Sequence, residues 1–133
     1  MLPVKSFSVS IFILKPEGDE IKVLLMRRTG YLAGLWCQVA GGIEPGEKAW
    51  QTAIREVMEE TRIELTEIWS ADILEQFYEP DKECITLVPV FVSTVPEDTK
   101  VVLNDEHDAY KWASIDEAYE LFGFPGQQRA LTA

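Results

Sequence analysis

Apolar and polar positions alternate through "SFSVSIFILK" (residues 6–15), and the alternation closes into a continuous apolar run. This pattern predicts a strand that starts at a sheet edge and enters a core. "PEGDE" is turn chemistry, and "IKVLLMRR" (residues 21–28) reads as a second strand, so the pair predicts a hairpin. "TGYLAG" is a loop and "LWCQVA" (residues 35–40) a short strand. Two long strands, "EIWSADILEQFYEP" and "ECITLVPVFVSTV", flank a turn at Pro80-Asp81. "DAYKWAS" is a short strand, "SIDEAYELF" opens on Ser114-x-x-Glu117 as a capped helix does, and "PGQQRALTA" is a last helical turn. No repeat, low-complexity tract or linker interrupts the chain, so residues 1–133 predict one domain, a mixed sheet with helices packed against it.

The period changes to that of a helix across residues 48–61, which contain neither glycine nor proline. At about 100° per residue, Trp50, Ala53, Ile54, Val57 and Thr61 share one stripe. Glu56, Glu59 and Glu60 fall within an arc of about 100° beside it, at spacings where like charges repel. Arg55, four residues before Glu59, is positioned to pair with it. Either this is a solvated acidic face, or the carboxylates converge on a hard cation such as magnesium or manganese. Just upstream, Gly41-Gly42 allow a close backbone approach to a ligand or a turn with positive φ, and Pro45-Gly46 suit a type II turn. Glu47 stands at the helix start, where free N–H groups favour a carboxylate.

Composition narrows the partners. With 12 basic and 23 acidic residues the formal charge is -11, which excludes broad electrostatic binding to nucleic acid or to an anionic membrane surface. No apolar run is long enough for a membrane-spanning helix, and the N-terminus reads as a strand, not a signal peptide. Cys37 and Cys84 follow no metal-ligand spacing and read as free buried thiols of a reducing cytoplasm, a disulfide being the alternative.

Taken together, "GGIEPGEKAWQTAIREVMEETRI" (residues 41–63) resembles the Nudix box, Gly-x5-Glu-x7-Arg-Glu-apolar-x-Glu-Glu-x-Gly-apolar. Gly41, Glu47, Arg55, Glu56, Val57, Glu59, Glu60 and Ile63 match, and Arg62 stands where the family has glycine. "DEHDAYKW" further resembles a Glu-His-x-x-Tyr-x-Trp stretch of two Nudix subgroups, the dihydroneopterin triphosphate pyrophosphatases and the asymmetrical dinucleoside tetraphosphate hydrolases.

The resemblance implies an α/β/α sandwich around a mixed sheet and a hydrolase that uses Mg2+ or Mn2+. Its substrate would be a small nucleoside or pterin triphosphate cut at a phosphoanhydride bond. A dinucleoside polyphosphate is the alternative, disfavoured because Gln38-Val39-Ala40 replaces that group's Pro-Lys-Gly or Pro-Gln-Gly before the box. A non-catalytic binding domain would have lost box acids that are all present here. Carried over by position, Glu56 and Glu60 would be the main metal ligands, and Glu59 a further ligand or the holder of the attacking water. The Gly41 carbonyl and Glu106 would complete the shell, with Gly42 beside the substrate. Arg55 would orient the glutamates and Glu47 would support loop and helix. Arg28, or failing that Arg27, would touch a phosphate, a solvated strand end being the alternative. His107 reads as a hydrogen-bonded loop residue. Tyr31, Trp36, Phe77, Tyr78, Tyr110 and Trp112 read as packing residues before stacking platforms. The resemblance also allows a homodimer without identifying its interface.

Overall fold

A computed structural model describes residues 1–122 and 125–132. Eight strands form one mixed sheet: β1 (Val4–Lys5), β2 (Ser8–Glu17), β3 (Glu20–Arg28), β4 (Trp36–Cys37), β5 (Val39–Gly42), β6 (Trp69–Glu79), β7 (Cys84–Thr94) and β8 (His107–Ser114). The helices are α1 (Ala49–Thr61), α2 (Ile115–Leu121) and α3 (Pro125–Thr132). The predicted hairpin is present: Leu14 faces Val23 and Glu17 faces Glu20 in antiparallel register, around a turn where Gly18 takes φ 63°. β6 and β7 form the second antiparallel pair. β7 also runs parallel to β2 and to β1, a short strand that the sequence pattern did not reveal.

The continuous apolar runs have a direct cause. Both faces of β2 and β3 are covered, so neither face can be polar. Val9, Ile11, Ile13, Leu24 and Met26 pack with Val39, Ala53 and Val57 under α1. Phe12, Val23 and Leu25 pack with Val90, Ala118, Phe122 and Ala130 under α2 and α3. Helix α1, the sheet and the α2–α3 pair therefore make the three layers of an α/β/α sandwich. Ser114 caps α2 as expected, its Oγ accepting from the Glu117 N–H at 3.1 Å.

The 35–40 segment differs from the expected single strand. It divides at Gln38: β4 pairs with β3, and β5 pairs with β2. The hairpin strands separate beyond their shared end, and residues 36–42 fill the wedge between them. Gly41 and Gly42 thus belong to a strand, opposite Val9 and Ser8, and not to a loop. The turn follows at Pro45-Gly46, where Gly46 has φ 83° and the Glu47 N–H bonds to the Glu44 carbonyl at 3.0 Å. This matches the predicted type II geometry.

Helix α1 is rolled relative to the predicted stripe. Its buried residues are Thr52, Ala53, Val57, Glu60 and Thr61, whereas Trp50 is 46% exposed. Two threonines can be buried because each hydroxyl finds an acceptor: Thr61 bonds to the Val57 carbonyl at 2.6 Å and Thr52 to Glu47 at 2.8 Å. The helix ends on Arg62, at φ 62° and ψ 15°, with its N–H on the Met58 carbonyl at 3.0 Å. Arg62 therefore adopts the left-handed cap that glycine takes more readily.

Candidate metal and phosphate site

The wedge of β4 and β5, the start of β8 and the acidic side of α1 enclose a cavity of about 580 Å3. Gly41 explains how the helix comes so close. A Cβ there would stand 2.1 Å from Glu56 Cδ and 2.4 Å from its Oε1. The close approach foreseen for a ligand is thus made by the protein's own carboxylate, and neither Gly41 nor Gly42 uses positive φ.

Arg55 organises the rear of the site. Its Nε and Nη2 hold the two oxygens of Glu47 at 2.7 and 3.0 Å. Its Nη1 reaches Glu56 at 2.9 Å and Glu59 at 3.2 Å, and Nη2 also donates to the Gly42 carbonyl at 2.9 Å. A planar fork with five donors suits this arrangement; a lysine could not replace it. The bonds to Arg55 hold the Glu47 carboxyl down at about 2. Glu47 also accepts from the Glu44 N–H at 3.0 Å, so it braces the turn directly and does not merely face helix N–H groups.

The sequence-predicted acids separate into two settings. Glu56 and Glu60 line the cavity, together with Gly41, Gly42, Arg28 and Glu106. Glu59 lies outside that lining, half-exposed and tied to Arg55. Glu60 is 2% exposed. Burial first, then the neighbouring Glu56, pushes its carboxyl well above the usual range. Burial also raises Glu56, despite Arg55 beside it. These carboxyls sit where two negative charges are costly unless a cation is supplied.

Glu106 comes from far along the chain. Its carbonyl accepts from the Thr29 N–H at 3.1 Å, Thr29 Oγ1 bonds to the Asp105 carbonyl at 2.8 Å, and the Glu106 N–H bonds to Asn104 at 3.1 Å. These bonds pin the turn so that carboxylate oxygens of Glu106 and Glu60 and a ring nitrogen of His107 lie within 4.8 Å of one another. Of the two arginines, Arg28 enters the cavity. Arg27 is held by Asp108 at 2.7 Å, with its guanidinium 5.9 Å from the Trp36 ring. A register shift between Arg27 and Arg28 sends the two side chains apart.

Several expectations need correction. His107 is not a satisfied loop residue: it opens β8, is 8% exposed, and its Nδ1 has no hydrogen-bond partner. Burial lowers its basicity, outweighing the pull of Glu106. Tyr31 is 79% exposed on the cavity rim, with the Arg28 guanidinium 6.0 Å from its ring. Phe77, Tyr78 and Tyr110 are also exposed, while Trp36 and Trp112 pack against the two cores as expected. Both cysteines are free and buried. Gln38 entered the sequence reading only as a departure from a subgroup's run before the box; it is buried and donates to Ser10 at 2.6 Å and to Glu75 at 3.2 Å, while accepting from Gln127 at 2.9 Å. All its partners are distant in sequence, so no local signal could have identified it. For His107 a signal existed: it is the one histidine, and it adjoins Glu106.

Residues 4–133 match the NUDIX domain family. The chain is 37% identical over 128 residues to an octanoyltransferase from Myxococcus xanthus, covering 93% of this chain but only 35% of that protein. It is 31% identical over 124 residues to the asymmetrical bis(5'-nucleosyl)-tetraphosphatase of Rattus norvegicus, covering 90% of this chain and 82% of the relative. The dihydroneopterin triphosphate pyrophosphohydrolase structure from E. coli superposes with a TM-score of 0.78 at 25% identity, over 96% of this chain and 95% of that one.

Proposed function

Because this chain belongs to the NUDIX domain family, we propose that it is a hydrolase of phosphoanhydride bonds that cleaves a nucleoside or pterin triphosphate with magnesium or manganese held by Glu56, Glu60, Glu106 and the Gly41 carbonyl. One observation carries this reading: Glu56, Glu60 and Glu106 reach the same cavity as Gly41 and Arg28. The donor set fits a hard cation, since it is rich in carboxylate oxygen. A cation also relieves the charge that burial makes costly on Glu60 and Glu56.

When bound, such ions neutralise the bridging phosphates and lower the pKa of water. The chain's own residues do the positioning. Arg55 fixes Glu56 and Glu59 through one guanidinium. Glu47, locked to Arg55 and the turn, keeps that guanidinium from swinging away. Glu59 is a further ligand or the holder of the attacking water. Arg28 meets a phosphate oxygen, and Tyr31 offers a ring face on the rim for the base or pterin. The same reading takes residues 1–133 as one domain working in the cytoplasm on small molecules, without nucleic acid as a partner, and allows a homodimer. Buried free thiols support a reducing compartment; no described helix is long and apolar enough to cross a membrane.

A dinucleoside polyphosphate is the second reading, favoured by the 31% identity to the rat tetraphosphatase over most of both chains. The test is a panel of nucleoside triphosphates, a pterin triphosphate and a dinucleoside tetraphosphate, each with magnesium or manganese. Pyrophosphate plus a monophosphate supports the first reading. Asymmetric cleavage of the dinucleotide supports the second. Tight binding of one compound with no product from any refutes catalysis.

A further inference from the structure

His107 presents a buried nitrogen that faces the Glu60 carboxylate, with Glu106, Asp108 and the Arg28 guanidinium also near the ring. Its Nδ1 lies 3.8 Å from Glu60 Oε1, too far for a hydrogen bond, and has no other partner. The opposite ring nitrogen is accounted for. Nε2 stands 3.5 Å from Cys37 Sγ, and the Cys37 thiol itself donates to the Met26 carbonyl at 3.5 Å. A thiol proton directed at Met26 leaves the sulfur to accept from Nε2–H; in that tautomer Nδ1 turns its lone pair towards the Glu60 and Glu106 oxygens. Lone pairs from a buried nitrogen, the buried Glu60 and the exposed Glu106, facing one another within 4.8 Å, call for a shared cation.

We propose that His107 Nδ1 is a ligand to an ion also held by Glu60 and Glu106, so that this end of the cavity prefers a first-row transition ion, manganese or zinc, to magnesium. The proposal rests on the metal-dependent reading above and adds a nitrogen donor to it. Imidazole suits zinc and iron-series ions, whereas magnesium keeps to oxygen and water. Zinc would bond nitrogen and carboxylate oxygen at about 2.0–2.2 Å, so His107 and Glu60, 3.8 Å apart, would close slightly to share one ion. Cys37 acts as a positioning residue: it holds the ring through Nε2, as an outer partner of a metal-bound histidine does.

Because His107 is the one histidine, the untagged full chain permits a direct test. Manganese is added to the chain without substrate and examined by pulsed electron paramagnetic resonance. The expected result is a directly bonded nitrogen coupling that changes isotope pattern when histidine alone is 15N-labelled. His107→Gln should abolish the coupling and weaken manganese and zinc binding by roughly tenfold or more, with magnesium binding nearly unchanged. Should His107→Gln not fold, the labelled wild-type spectrum decides alone. Manganese bound with no histidine coupling overturns the nitrogen ligand and leaves the carboxylate site standing. No manganese bound at all overturns both this inference and the reading it rests on.

Discussion

Gly41→Ala separates the geometry of the site from the stability of the fold. The new Cβ would lie 2.1 Å from Glu56 Cδ, 2.4 Å from Oε1 and 2.5 Å from Cγ. The carboxylate must therefore retreat by about 1.5 Å to regain van der Waals contact. It is the end of a flexible side chain, so the backbone can stay. Overpacking costs about 1–3 kcal/mol, offset by about 0.4–1 kcal/mol because alanine restricts the unfolded chain. The net loss of about 0–2.6 kcal/mol is small beside a typical stability of about 5–15 kcal/mol. Turnover should fall much further, since a misplacement of about 1 Å in a reacting constellation costs on the order of 100-fold. Pyrophosphate release at saturating substrate gives the rate, and calorimetry gives the stability. Glu56→Gln provides the control: alone it should cut turnover by several orders of magnitude, and adding Gly41→Ala should then change almost nothing, because both act through one carboxylate. Near-normal turnover in Gly41→Ala, or full additivity in the double variant, would refute the argument that Gly41 exists to seat Glu56.

Metal-free protein should lose stability as pH rises from about 4.5 through neutrality, because the folded state holds a proton on Glu60 that the unfolded chain releases; Glu60→Gln should flatten that slope in melts run with a chelator, and saturating manganese should reverse it. Glu47 behaves oppositely: its carboxyl is held at about 2, so its stabilisation is present above the ordinary value of 4.5 and disappears as pH falls towards 2. Glu47→Gln should therefore lower the melting temperature at neutral pH, and a difference that persists in strong acid would count against the ion pair with Arg55. Arg62→Gly should raise stability by about 1 kcal/mol, because the helix already ends in the left-handed conformation; unchanged turnover should accompany it, and a denaturant midpoint that falls would sink the idea that Arg62 is strained.

How much of this was legible depended on how local the cause was. The hairpin, α1 and the Ser114 cap of α2 follow from neighbouring residues, so spacing revealed them. The roll of α1 did not follow, because Trp50 and Ile54 define an apolar stripe while the true buried face contains Glu60, Thr52 and Thr61. Thr52 and Thr61 can be buried because their hydroxyls bond to Glu47 and to the Val57 carbonyl, and Glu60 because burial beside Glu56 keeps its carboxyl protonated. Gly41 signalled close approach correctly, but what approaches is Glu56, fifteen residues away and one helix later. The division of residues 35–42 into β4 and β5 stems from the separation of β2 and β3, a property of the whole sheet. Among the aromatics, Tyr31, Phe77 and Tyr78 were assigned to packing on composition alone, yet the structure leaves them exposed.

The charge distribution decides what the cavity can accept. Arg55 is fully engaged by Glu47, Glu56 and Glu59, so it stabilises the acids without offering positive charge to a ligand. Among the residues lining the cavity, Arg28 is the one permanent cation, set against Glu56, Glu60, Asp105 and Glu106. A polyphosphate approaching that lining would meet net repulsion, carried mainly by Asp105 and Glu106 at its exposed mouth. The acids that would repel it also gather divalent ions, and once those ions are present the sign of the site reverses. Substrate affinity should therefore depend on metal concentration more steeply than one ion carried on the substrate would require. The apparent Kd of a non-hydrolysable triphosphate, titrated at increasing magnesium with calorimetry, measures that slope. An affinity insensitive to metal would mean that Arg28 and the backbone hold the phosphates unaided, against the local field described here.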